Sequence, residues 1–245
     1  LLIGQSNMAG RGRLDEAIER YTKNILTLRN GRWQGLFRPV NPDRSFSGTN
    51  LGESFASRYA EKYGVTVGLI CCADGGTSLS QWQPGYLLFD NAVYQARLAQ
   101  RTSTIAGVLW HQGEADCAPE LYVTYRQRFL PIMQALRKEL DLYDVPFLLG
   151  GLGDYLKDCK LSDHLKNYAH VNSALKQIAA EEEKTGFVSA AGLTSNPDYL
   201  HFNAASLHEF GIRYFNEYEK QKDPNKQFFE KPEQDFAVRT AMEQL

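Results

Sequence analysis

The chain has 245 residues, 43% hydrophobic and 23% charged, which suits one globular domain with a full core rather than two large ones. A formal net charge of −2 offers no basic face for nucleic acid. No apolar stretch approaches the roughly 18 residues needed to cross a bilayer, so we expect no membrane span.

Residues 1–4 are apolar up to Gly4 and read as a short buried strand. Residues 25–29 and 32–36 flank Asn30-Gly31, the dipeptide whose preferred turn matches strand twist, and predict a hairpin. Residues 50–63 predict a helix ended by Gly64, and 65–71 a buried strand. A Gly/Ser/Thr-rich loop follows at 73–81. Residues 87–100 read as a helix and 105–110 as a third strand. The stretch 119–142 is helical in pattern, with Pro131 expected to kink or interrupt it. A fourth strand at 146–150, an amphipathic helix at 163–183, a fifth strand at 186–190 and a last helix at 204–220 complete the alternation. Strands alternating with helices argue for an α/β fold with a parallel sheet covered on both faces. We expect one domain over 1–220 and a charged C-terminal extension over 221–245, containing Pro224 and Pro232.

The four cysteines, Cys71, Cys72, Cys117 and Cys159, match no zinc or redox spacing. Adjacent Cys71 and Cys72 cannot bond each other without strain. Reduced thiols and no visible signal peptide lead to the expectation of a cytoplasmic protein.

Polar clusters follow the strands. Gly4-Gln5-Ser6-Asn7-Met8 follows the first, Asp74-Gly75-Gly76-Thr77-Ser78 the second, and His111-Gln112-Gly113-Glu114-Ala115-Asp116 the third. In a parallel sheet the strand C-termini share one edge, so these clusters converge there. Asp198 and His201 lie three residues apart in a loop beyond the fifth strand, a spacing that lets a carboxylate orient its own histidine across a turn. Asp198 as a helix cap is the plainer alternative. Gln112 carries an amide that can donate to an oxyanion, and Gly75-Gly76 allows close backbone approach to one. A rival is a metal site built from His111, Glu114, Asp116 and His201. There is no Gly-x-Ser-x-Gly elbow and no phosphate loop.

Taken in order, these strings resemble the SGNH (GDSL-like) hydrolases. Within them the match is to the carbohydrate esterase family 6 and sialate O-acetylesterase-like group, which includes acetylxylan esterases. The matching pieces are Gly4-Gln5-Ser6-Asn7-Met8-Ala9-Gly10, Gly75-Gly76-Thr77-Ser78 with Trp82, Trp110 to Asp116, and Asp198-x-x-His201-Phe202. Gln5 stands where the wider group has Asp, and the Gly-x-Asn-Asp block is replaced by His111–Glu114; both departures are shared by the esterase branch. The resemblance implies a three-layer α/β/α sandwich with a five-stranded parallel sheet in flavodoxin-like order. It implies Ser6 as nucleophile, His201 as base and Asp198 as its orienter. It implies an oxyanion hole from Ser6 N–H, a glycine N–H (Gly75, with Gly76 open) and the Gln112 side chain.

We therefore expect a serine O-acetylesterase acting on an acetylated carbohydrate, with no cofactor and no metal. Acetylated xylan and acetylated sialic acid are both compatible substrates. Trp82 and Tyr86 are expected either to wall a sugar site or to pack, and Glu114 to reach substrate. A metal-dependent hydrolase and a non-catalytic carbohydrate-binding protein are the alternatives from other classes. Homo-oligomerisation stays open.

Overall fold

The computed structural model describes residues 1–18 and 24–222. The extension expected over 221–245 lies outside the described residues except for Gln221 and Lys222. In chain order the elements are β1 (Leu2–Gly4), α1 (Ser6–Ala9), β2 (Ile25–Arg29), β3 (Arg32–Gly35), α2 (Leu51–Tyr63), β4 (Val67–Leu69), α3 (Leu87–Ala99), β5 (Val108–His111), α4 (Pro119–Tyr122), α5 (Tyr125–Leu140), β6 (Phe147–Gly150), α6 (Tyr168–Glu181), β7 (Thr185–Val188) and α7 (Ala204–Gln221).

Local chemistry explains several boundaries. Asn30 and Gly31 both take positive φ, 50° and 75°, as a two-residue turn joining twisted strands requires. α2 opens on a reciprocal cap. Asn50 Oδ1 accepts the Gly52 N–H, and Glu53 Oε1 accepts the Asn50 N–H. Phe55 and Tyr59 on α2 lie against Phe215 and Tyr218 of α7. α7 also reaches β6 and β7, while α5 packs between α3 and α6. Every residue of β1, β5 and β6 is buried, as in strands covered on both faces.

The structure differs from expectation in the sheet. Among the described residues the main sheet has four parallel strands in the order β1-β5-β6-β7, where five were expected. The strand expected over 65–71 divides its partners. Val67–Leu69 pairs with β2 in a separate sheet, β3-β2-β4. Only the following residues meet β1, where Leu2 N–H donates to Ile70 O at 2.8 Å and Cys72 N–H to Leu2 O at 2.9 Å. Three-residue β1 offers little length to pair, so its contact with this segment is limited to Ile70 and Cys72.

The stretch 119–142 also differs. Its break falls at Val123-Thr124, and Pro131 sits inside α5. Arg128 supplies the reason. Its guanidinium takes the Leu121 carbonyl at 2.7 Å, which a continuous helix would offer to the Tyr125 N–H, and is held there by the Thr124 hydroxyl at 3.0 Å. All four cysteines are free, and burial pushes the Cys71 and Cys72 thiols up to about 12. No described helix is long and apolar enough to cross a membrane.

Candidate active site

β1 ends at Gly4, and Ser6 is the first residue of α1, buried at 6% exposure. Its Oγ lies 3.0 Å from His201 Nε2. His201 Nδ1 lies 2.7 Å from Asp198 Oδ2. The other oxygen of Asp198 accepts the N–H groups of Leu200 and His201 at 2.9 and 3.0 Å. Partial burial works to raise the Asp198 pKa, but those two N–H donors and the His201 ring outweigh it and hold the carboxyl below its usual range. An ionised carboxylate on Nδ1 keeps a proton there and leaves Nε2 able to accept the Ser6 proton. Three residues from opposite ends of the chain thus meet. Asp198 does not cap α7; that cap is Asn203, whose Oδ1 accepts the Ser206 N–H at 2.9 Å.

Asn7, a further part of the site, belongs to the Gly4–Gly10 motif, but the motif gives it no role of its own. Its Oδ1 accepts the Phe202 N–H at 3.0 Å, and its Nδ2 donates to Leu200 O at 3.1 Å and to Glu114 Oε1 at 2.6 Å. Beside Ser6 lies a second such group. Asp43 receives both guanidinium nitrogens of Arg11, at 2.9 and 2.7 Å, and the Ser47 hydroxyl at 2.8 Å. Arg11 and Asp43 side chains are 4% and 5% exposed. Nothing in sequence joins residue 43 to the glycine loop, yet Asp43 Oδ2 accepts the Gly75 N–H at 2.8 Å.

The expected oxyanion donors are therefore not equivalent. The Ser6 N–H meets no acceptor among the described residues. The Gly75 N–H is close to Ser6 but engaged by Asp43; a Cβ added at Gly75 would lie 3.5 Å from Ser6 Cβ. Gln112 is fully buried, and both amide protons are used, at 2.6 Å to Asp116 Oδ2 and 3.2 Å to Thr77 O. Its Oε1 accepts the Tyr125 hydroxyl at 3.1 Å, which fixes the amide orientation. Gln112 thus ties the Thr77 loop to the loop after β5 and has no spare proton to aim at substrate.

The structure also bears on the two readings left open for Trp82, on the expected reach of Glu114 and on the rival metal site. Trp82 is 0% exposed, donates to Thr77 Oγ1 at 3.1 Å and packs edge-on to Trp110. It walls the core rather than a sugar site; Tyr86, by contrast, is 58% exposed. Glu114 does not face solvent, because its side chain is 3% exposed and turned to Asn7 and His111. The metal reading loses its ligand set. The Asp116 carboxylate is taken by Leu79 N–H, Gln112 and Arg128, and His111 Nε2 is engaged with Gly151 O at 3.2 Å. Burial lowers the His111 pKa and keeps that ring neutral. Among the described residues no three His, Cys, Asp or Glu side chains are grouped to hold a metal.

Known proteins share this arrangement of elements. The crystal structure of an Arabidopsis thaliana protein superposes with a TM-score of 0.80 at 24% identity, covering 91% of this chain and 97% of that one. NanS superposes at 0.72 with 17% identity over 89% of this chain and 95% of its own. A carbohydrate acetylesterase from Xanthomonas citri superposes at 0.65 with 20% identity over 89% of this chain and 55% of its own. In sequence, a probable carbohydrate esterase of Arabidopsis thaliana is 26% identical over 244 residues, 86% of each chain. The model of the family described as carbohydrate esterase, sialic acid-specific acetylesterase, matches residues 1–220, and the chain belongs to that family of carboxylic ester hydrolases.

Proposed function

We propose that this protein removes O-acetyl groups from acetylated carbohydrates through an acetyl-Ser6 intermediate. The observation that carries the reading is the relay from Asp198 through His201 to Ser6, with links of 2.7 and 3.0 Å. Ser6 Oγ attacks the acetyl carbonyl carbon as His201 Nε2 takes its proton. The tetrahedral oxyanion is received by the Ser6 N–H and by the Gly75 N–H, which exchanges Asp43 for it. Asp43 keeps Arg11 and Ser47 meanwhile, so the exchange strands no charge. Each such donor is typically worth roughly 3 kcal/mol of barrier. Gln112 acts behind them by holding the Thr77 carbonyl. His201 then gives its proton to the departing sugar oxygen. Water, deprotonated by the same nitrogen, releases acetate and regenerates Ser6.

Family membership supports acetylated sialic acid as substrate; the resemblance of the motifs to acetylxylan esterases supports acetylated xylan. An acetate-release panel separates them, with O-acetylated sialic acid, an acetylated xylo-oligosaccharide and a small aryl acetate as substrates. Wild type is expected to release acetate in EDTA and to lose activity to a serine-reactive phosphonate. Ser6→Ala is expected to be folded and inactive on every substrate. Near-normal turnover by Ser6→Ala, or loss of wild-type activity to the chelator alone, would overturn the proposal.

A further inference from the structure

Ser6 and Asn7 are neighbours in sequence, yet they hold His201 from different sides. Ser6 meets the ring at Nε2. Asn7 takes the main chain on both flanks of the histidine, accepting from Phe202 N–H and donating to Leu200 O. An amide has one accepting end and one donating end, so only one orientation satisfies both contacts. Glu114 selects that orientation, because its Oε1 sits 2.6 Å from Asn7 Nδ2 and would repel an amide oxygen placed there. Asn7 is 1% exposed. The site also keeps a cost that packing alone does not call for. Glu114 Oε2 and His111 Nδ1 are buried with no hydrogen-bond partner, and buried polar atoms left unpaired are disfavoured.

We propose that Asn7, oriented by the Glu114 carboxylate, is a positioning residue that holds the His201 imidazole against Ser6 Oγ. This rests on the assignment of Ser6 and His201 made above.

Asn7→Asp tests it with a change of one atom's chemistry. Oδ1 still accepts the Phe202 N–H. The other oxygen now faces the Glu114 carboxylate. Two carboxyls at that distance share at most one proton, and the pair binds it more tightly than either alone. While the proton bridges them the Glu114 contact survives and only the donation to Leu200 O is lost; when it leaves, the oxygen repels both the Glu114 carboxylate and the Leu200 carbonyl and the loop carrying His201 shifts. The other groups facing the pair are His111, Asp116, Cys117, Tyr125, Tyr155, Tyr214 and Asp198. Burial raises the Tyr125, Tyr155, Tyr214 and Cys117 pKa values and lowers that of His111, so all five stay neutral. Asp116 is paired with Arg128, and Asp198 stays ionised.

The expected result is a variant-to-wild-type kcat ratio on a small acetyl ester that falls as pH rises. The loss is about 10²-fold at roughly pH 8 and recovers in part towards roughly pH 5, with KM little changed. Glu114→Gln keeps an accepting oxygen for Asn7 and is expected within a few-fold of wild type; Glu114→Ala is expected to lose activity. A pH-independent ratio for Asn7→Asp overturns the proposal, as does Glu114→Gln being as impaired as Glu114→Ala. If Asn7→Asp does not fold, the two Glu114 variants decide. Should wild type release no acetate from any ester, the function above is what fails. The rate at which a phosphonate labels Ser6, which needs only Ser6 and His201, then gives the same comparison among variants.

Discussion

Asp198 grips His201 at two points, the ring through Oδ2 and the main-chain N–H through Oδ1. The first contact sets the tautomer and the second sets the distance. Asp198→Asn separates these effects. The amide oxygen can still accept from the backbone, but its NH2 group can only donate to Nδ1. The imidazole proton must then move to Nε2, which can no longer accept from Ser6. We predict a drop in kcat of about 10⁴-fold with little change in melting temperature, the size known for this tautomer error in serine hydrolases. A variant within tenfold of wild type on an aryl acetate would contradict the assigned role.

The Arg11–Asp43 pair makes a prediction about acid stability. Burial works to raise the Asp43 carboxyl, but Arg11, Ser47 and the Gly75 N–H outweigh it and hold its pKa below the usual value. A carboxyl with a lowered folded-state pKa contributes stability that is complete above the unfolded value and lost as pH falls through the folded one. In Asp43→Asn the new NH2 faces two donors, Arg11 Nη2 and the Gly75 N–H, and a buried guanidinium loses its counter-charge. Breaking such a pair costs about 3–5 kcal/mol. Denaturant melts should show that gap at neutral pH and a narrowing gap as pH drops below roughly 4. A gap that stays constant on acidification would show that the Asp43 charge is not its source.

The two adjacent glycines should respond differently to alanine. A Cβ at Gly75 would lie 2.6 Å from Arg11 Nη2 and 3.0 Å from Asp43 Oδ2, so the locked pair or the Gly75 N–H must move. Gly76 has φ +78° and open space where its Cβ would go. Alanine there meets strain but no neighbour, at a cost of about 1 kcal/mol of stability. We predict that Gly75→Ala loses about 10²-fold in kcat through misplacement of the loop beside Ser6, and that Gly76→Ala lowers the melting temperature with kcat near wild type. If the larger kcat loss fell on Gly76→Ala, the oxyanion role would pass to that residue.

What the sequence made legible was chiefly local. The Asp198–His201 contact spans three residues and includes a hydrogen bond to the histidine's own N–H, so spacing alone conveys it. Ser6 was legible as a polar residue at the end of an apolar strand. The Asn30-Gly31 turn and the Asn50 cap of α2 follow from residue type. The failures are all non-local. Asp43 lies on an irregular loop, 32 residues from the glycine it binds. The amide of Gln112 looks like a donor until Asp116 and Thr77 are seen to hold both protons. Arg128 reaches back to Leu121 and moves the helix break away from Pro131. The partners of residues 65–71 are a hairpin about 40 residues upstream and the first strand of the chain, which no local pattern in 65–71 names.

Trp82 gives the sharpest contrast between a residue's type and its place. Following the glycine block, it carries the right ring for a sugar platform, yet it is fully buried, edge-on to Trp110 at 5.5 Å, with its indole N–H spent on Thr77. Thr77 in turn donates to Asp74 O and accepts Gln112 through its carbonyl, so the ring supports the loop that carries Gly75. Removing a buried indole leaves a cavity and costs about 3–5 kcal/mol. Trp82→Ala should therefore lower the denaturation midpoint and reduce kcat equally on a small aryl acetate and on an acetylated oligosaccharide, since what is lost is the loop and not a sugar contact. Tyr86→Ala, at an exposed position, should leave stability within about 0.5 kcal/mol of wild type. A selective rise in KM for the oligosaccharide in Trp82→Ala, with the aryl acetate unaffected, would place the ring against substrate and contradict its assignment to the core.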